Sequence, residues 1–282
     1  MKRFAVLALF TLCASLAFGQ LAEASSGWLA AFGSLADPNV GLTAFPILLV
    51  PAGGRLEGMG TAGTATSEDL SAFEANPAAA ASRERTELGL FHHAWYADGA
   101  LDTVSFTLGR GSLGIVAGAK VLYLPFTAYD DVGTPVASGY YTEIMAAAGG
   151  ALRIVNAPAF SLSLGATLKV AVRAFPKAVL AGQSALGFPM DVGLLADLSF
   201  LDFGRGARRK NFSVGVSLRN FGQGDLGAPL PTVLAAGVSY SPVRPLTTAF
   251  DVNVPVSFDP ERAPAEHLLV AGGASLAVTH FL

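Results

Sequence analysis

From residue 86 onward the chain repeats one pattern, a period of two sustained for six to thirteen residues at a time. In Ser161 to Arg173 one face carries Leu162, Leu164, Ala166, Leu168, Val170 and Val172. The other face carries Ser161, Ser163, Gly165, Thr167, Lys169, Ala171 and Arg173. Successive side chains of a strand point to opposite faces, whereas a helix repeats every 3.6 residues and cannot hold such an alternation. Val104, Phe106 and Leu108 alternate in the same way with Thr103, Ser105 and Thr107. Phe212 to Arg219 and Phe250 to Ser257 repeat it again. The pattern predicts ten strands, at roughly 86–97, 102–109, 112–124, 140–155, 160–174, 190–201, 211–221, 232–241, 246–257 and 267–278.

The two faces differ in an unusual sense. The small residues share a face with the rare charges, and the large apolar residues share the other. A soluble β-sandwich does the reverse, packing its large apolar face inward. Only 14% of residues are charged, 52% are hydrophobic and the mean hydropathy is +0.49; a soluble domain carries about a quarter charged residues. Beyond the N-terminus no stretch offers the roughly 18–20 uninterrupted apolar residues of a spanning helix. The expectation is an all-β fold, a transmembrane antiparallel β-barrel with its small polar face inward and its apolar face toward lipid.

Aromatics gather near the predicted strand ends, at Trp95, Tyr96, Tyr123, Phe126, Tyr140, Tyr141, Phe200, Phe203, Tyr240 and Phe258, as interfacial girdles do. The connections tend to alternate in length, with 109–112, 156–159 and 242–246 short and 125–139, 175–189, 221–231 and 258–266 longer. The long stretch 202–210 is the exception. A soluble secreted all-β binding domain is the competing reading of the same pattern.

The N-terminus reads as an export signal. Lys2 and Arg3 precede an apolar run from Phe4 to Leu16, and Ala17-Phe18-Gly19 supplies small residues for cleavage before Gln20. The expected organisation is a signal peptide at 1–19, an N-terminal segment at 20–85 and the strands at 86–282. The single cysteine, Cys13, lies inside the signal, so the exported chain would have no thiol or disulfide. Losing Lys2 and Arg3 reduces 18 basic residues to 16 against 21 acidic ones, a net charge of −5. That balance suggests no nucleic-acid partner.

Within the N-terminal segment, Gly58-Met59-Gly60-Thr61-Ala62-Gly63 spells G-x-G-x-x-G. A dinucleotide-binding turn needs a strand entering it and a helix leaving it. Here the apolar run ends at Val50, and Pro51 to Glu57 separate it from the first glycine of the motif, so the spacing opposes that reading.

The stretch "GMGTAGTATSEDLSAFEANPAAAA" resembles the N-terminal hatch of FadL-type outer-membrane transporters and of the related PorV-like barrels. The resemblance rests on the glycine run Gly58 to Gly63, the acidic pair Glu68-Asp69 and Asn76-Pro77-Ala78. "PAGGRLEGMG" upstream and "APLPTVLAAGVSYSP" downstream join it, and it covers most of the mature chain. It implies a fourteen-stranded barrel plugged by its N-terminal segment, and a chain lacking about four C-terminal strands. A complete ten-stranded barrel with that segment outside the lumen is the alternative, because ten strands enclose little space. The implied function is passive uptake of hydrophobic molecules such as long-chain fatty acids across the cell outer membrane. The PorV-like branch implies instead a non-transporting accessory for protein export or surface attachment. Either role implies no cofactor and no enzymatic activity. The expected partners are outer-membrane lipid, a fatty-acid-like ligand and the barrel assembly machinery.

The hatch or gate candidates are then Gly58, Gly60, Gly63, Asp69, Asn76, Pro77 and Ala78. The glycines also fit tight turns in a crowded interior, and Asn76-Pro77 a simple turn initiator. Among the inward charges Arg153, Lys169, Arg173, Asp197, Arg219 and Asp251, the cations Arg153, Lys169, Arg173 and Arg219 are candidates for holding a ligand carboxylate. The plainer alternative is that opposite charges pair inside. His92 and His93 point to opposite faces and cannot chelate one metal together. The basic run 205–210, "RGARRK", reads as a solvated turn.

Overall fold

The computed structural model describes residues 43–66, 70–82, 84–175, 184–201, 210–224, 229–243, 245–256 and 269–276. The predicted signal peptide and the candidate Asp69 lie outside the described residues, as do residues 205–209 of the basic run.

The chain is all-β, and all ten expected strands are present. They are β1 (Thr86–Ala94), β2 (Ala100–Arg110), β3 (Leu113–Tyr129), β4 (Pro135–Asn156) and β5 (Phe160–Ala174). β6 (Ala185–Leu198), β7 (Phe212–Gly224), β8 (Val233–Tyr240), β9 (Leu246–Pro255) and β10 (Leu269–Leu276) follow. They form one sheet in chain order, with each strand antiparallel to the next. Among the described residues β1 and β10 do not pair with each other. No described helix is long and apolar enough to cross a membrane, which leaves strands unaddressed.

Three boundaries moved by five residues, the end of β3 and the starts of β4 and β6. The expected long connection 125–139 is mostly strand, and only residues 130–134 turn. The β3–β4 ladder runs through Pro125 and Gly139, pairing Pro125 with Tyr140 and Gly139 with Phe126. Asp130 closes the turn by accepting from the backbone of Val132 at 3.0 Å and Thr134 at 2.7 Å. β6 starts at Ala185 rather than 190, because Pro189 is accommodated opposite Gly222, whose φ is 149°. A proline demotes a strand on sequence grounds, yet an irregular partner can receive it.

The faces divide as the alternation predicts. Leu168 is 66% exposed and Leu90 77%, while Lys169 is 3% exposed and Lys120 1%. Tyr140 stands exposed on the apolar face near one end of the strands. Phe200, Phe212 and Tyr240 cluster near the other end, with centroids 5.6–6.2 Å apart. Tyr141, grouped with them from sequence, instead faces inward and bonds Glu143.

The polar face is covered by residues 43–82. This segment has 3-10 turns at Pro46–Leu48, Leu70–Phe73 and Pro77–Ala81, and one short helix, α1 (Gly54–Gly58). The buried apolar cluster lies between segment and sheet, with Phe45, Ile47, Phe73 and Ala78 against Leu101, Val116, Met145 and Leu195. Missing side chains on the strands bring the two backbones together. A Cβ at Gly165 would sit 2.5 Å from the backbone of Pro77 and Ala78, and one at Gly193 would overlap the Asn76 side chain.

The segment also reports the sheet's curvature. Glu57 of α1 reaches His93 on β1, with Oε1 to Nε2 at 2.7 Å. Met59 and Gly60, immediately after α1, lie against Gly273 and Gly272 of β10. Ten strands laid flat would be about 43 Å wide at the usual strand spacing. A helix of this length rises only about 7.5 Å. The sheet therefore curls around the segment and brings its two edge strands to the same short helix.

Candidate functional site

Among the described residues, most buried charges meet on the polar face. On β3, Lys120 pairs with Glu74 of the N-terminal segment and donates to the Val50 carbonyl at 2.5 Å. The other Glu74 oxygen accepts from the Ala52 N–H at 2.8 Å. One strand lysine thus fixes two separate stretches of the segment. On β4, fully buried Glu143 accepts from the Ile47 N–H at 2.9 Å, from Arg173 Nε at 3.1 Å and from the Tyr141 hydroxyl. The Arg173 guanidinium lies over Phe45 at 5.5 Å and Tyr141 at 5.9 Å, within cation–π reach.

Farther round the sheet, Lys169 Nζ stands 2.6 Å from Asp191 and 2.7 Å from the Asn220 side-chain oxygen. Asn220 has a positive φ of 57°, and its N–H returns to Asp191 at 2.7 Å. A β6–β7 register shift between Met190 and Val192 lies at this point. Asp251 on β9 accepts from the Thr64 N–H at 2.7 Å. Ser217 donates to the Ala75 carbonyl at 3.0 Å.

Asn76 joins these contacts. It precedes the Pro77–Ala81 turn and accepts from the Ala78 N–H at 3.1 Å. Its amide donates to the Thr64 carbonyl at 2.8 Å and to Leu194 on β6 at 3.0 Å. With no exposure, it links two parts of the segment to the sheet. Pro77 and Ala78 start the turn that lies on Gly165.

The four cations proposed from sequence all face inward, but each is engaged. Lys169 and Arg173 are held by Asp191 and Glu143. Arg153 donates to the Ala81 carbonyl and Arg219 to Asn253. Asp197 accepts from Ser161 and Ser213. Lys169 and Arg173 thus pair with carboxylates while Arg153 and Arg219 bond neutral oxygens, and a free carboxylate would have to displace an existing partner. Sequence reasoning missed Lys120, Glu74, Glu143 and Asp191. The parity that singled out Lys169 also marks Lys120 and Glu143 as inward, and would have found both.

The glycine motif is not a dinucleotide turn. α1 runs into Gly58 rather than leaving from Gly63, and no strand enters it. Gly60 adopts φ 63° against β10, and Gly63 packs where a Cβ would meet Leu56 at 2.6 Å. Gly58 is exposed. His92 and His93 do face opposite ways, toward Asp102 outside and Glu57 inside. Of the basic run, Lys210 donates to Asn156 at 3.0 Å.

A model of the uncharacterised protein family UPF0164 matches residues 24–254, spanning the inner segment and nearly all the strands. The chain belongs to the UPF0164 family. Curated UPF0164 proteins of Treponema pallidum (strain Nichols) are similar to it in part. One is 43% identical over 72 residues, covering 26% of this chain and 17% of the relative. Another is 34% identical over 127 residues, covering 44% and 31%. A third is 32% identical over 183 residues, covering 61% and 51%. The chain therefore spans about half or less of the length of the curated relatives it matches.

This corrects the FadL-type and PorV-like resemblance. That resemblance rested chiefly on a glycine-rich run, an acidic pair and Asn-Pro-Ala, with "PAGGRLEGMG" and "APLPTVLAAGVSYSP" beside them. The structure gives a local reason for the glycines and for Asn-Pro, since glycine admits close backbone approach and Asn76-Pro77 starts a buried turn, while the acidic pair lies outside the described residues. Such needs arise wherever a segment packs tightly on a sheet, so the pattern carries little family information. The UPF0164 match extends over most of the chain.

Proposed function

We propose that this UPF0164 chain forms the strand wall of a β-barrel in the cell outer membrane, with residues 43–82 as an internal plug. Its role in this reading is passive uptake of hydrophobic molecules. The observation that carries it is the reversal of faces: large apolar side chains are exposed along β1 to β10, while lysines, aspartates and glutamates are buried. In water such a surface would aggregate; in lipid it is the low-energy arrangement. The predicted export signal and the curling of the sheet round its segment agree with it.

Because the interior cations already have partners, the reading does not need them as a head-group site. A route through the interior would require residues 43–82 to move, whereas a route along the outer wall would not. Detergent phase separation tests the membrane part; recovery in the aqueous phase would sink it. Proteoliposomes then test uptake. Labelled fatty acid should enter faster than into empty vesicles, with little salt conductance through the fastened interior.

Uptake equal to empty vesicles would favour a second reading, a non-transporting outer-membrane accessory. The number of buried ties between segment and sheet favours that rigid role. Purification of a stable complex with exported proteins would support it.

A further inference from the structure

On the outward face of β1, β2 and β3 there is a groove of about 380 Å³ lined by Leu90, His92, Asp102, Val104, Ala119 and Val121. Most of its wall is apolar, but one end holds an acid–base pair. His92 Nδ1 lies 2.6 Å from Asp102 Oδ1, and the two residues are direct cross-strand neighbours. Their side chains are 63% and 50% exposed. Asp102 in turn faces Val121 on β3, one outward position before Tyr123. The pair thus lies two residues from the end of β1, beside a tyrosine of the kind found where lipid meets water.

Two polar atoms of this pair have no partner among the described residues, His92 Nε2 and Asp102 Oδ2. When Nδ1 donates to the carboxylate, a neutral imidazole presents Nε2 as an acceptor. The pair then offers two acceptors and a net negative charge at the head of an apolar trough. We propose that this groove binds an amphiphile with a primary ammonium head group, its apolar chain lying along Leu90, Val104 and Val121. An ammonium with three N–H donors satisfies both acceptors, while a trimethylated one has none to give. The occupant that this chemistry selects in a bilayer is a phospholipid with an ethanolamine head group. The inference rests on the reading that the apolar face meets lipid.

The test places the full chain in nanodiscs of choline phospholipid containing a minor fraction of ethanolamine phospholipid, and measures retained lipid by native mass spectrometry. The wild type is expected to retain the ethanolamine lipid roughly tenfold over its share, the scale of one hydrogen bond to a charged group. Asp102→Asn should remove most of that preference, Asp102→Glu should restore it, and His92→Leu should reduce it. Circular dichroism checks that each variant keeps its strands. Equal retention of the two lipids by the wild type overturns the proposal, as does a preference unchanged in Asp102→Asn. Failure of the wild type to enter the nanodiscs overturns the membrane reading itself, a distinct outcome.

Discussion

Single side chains set how firmly residues 43–82 are held. Lys120 and Glu74 are buried together, and each leaves an uncompensated charge if the other is removed. Lys120→Met alone should cost about 3–5 kcal/mol. Adding Glu74→Gln should return only part, because the Val50 carbonyl that Lys120 also serves stays unpaired in both variants. Chemical denaturation of the four species gives the coupling energy; additivity of the two changes would refute the pairing. Asn76→Ala should cost about 3 kcal/mol, since it strands the Ala78 N–H and the Thr64 and Leu194 carbonyls away from water. A loss below half of that would mean water replaces the amide. Sequence reasoning reached Asn76 and the inward cations by residue type and parity. It could not name their partners: Thr64 meets Asp251 across 187 positions, and nothing local in either stretch signals the other.

At the scale of strands, parity decides what a substitution does. Leu168 and Thr167 are neighbours in β5, one 66% exposed and the other 1%. If the outer face meets lipid, Leu168→Arg should destabilise by about 2–4 kcal/mol near the bilayer midplane. The same change would be close to neutral on a water-facing strand. Denaturation from vesicles separates the two cases. Gly193→Val acts on the other face, driving a side chain into Asn76, and should cost about 1–3 kcal/mol by overpacking. Limited proteolysis should then reach residues 43–82 sooner; unchanged protection would show that the segment can give way. The strands were legible because alternation is a local property that any six residues display. Their ends were less so, since Pro125 and Pro189 stop a strand in isolation but not opposite a partner that tolerates them.

For the molecule as a whole, ten strands, their order and their polarity follow from the chain's own pattern. Consecutive strands joined by short connections pair as antiparallel neighbours, and a period of two assigns each residue a face. The sequence by itself therefore determined the all-β class, the meander and the reversed faces. Tertiary structure alone decided what the polar face is for within the fold. It showed that face wrapped around residues 43–82, its charges held by partners both within the sheet and on the segment, and both edge strands drawn to α1. It also turned the glycines from a nucleotide signature into points of close backbone contact. The physical reason is range. Alternation is written into adjacent residues, whereas curvature and charge pairing join distant positions, Met59 and Gly273 among them, and only packing brings those together.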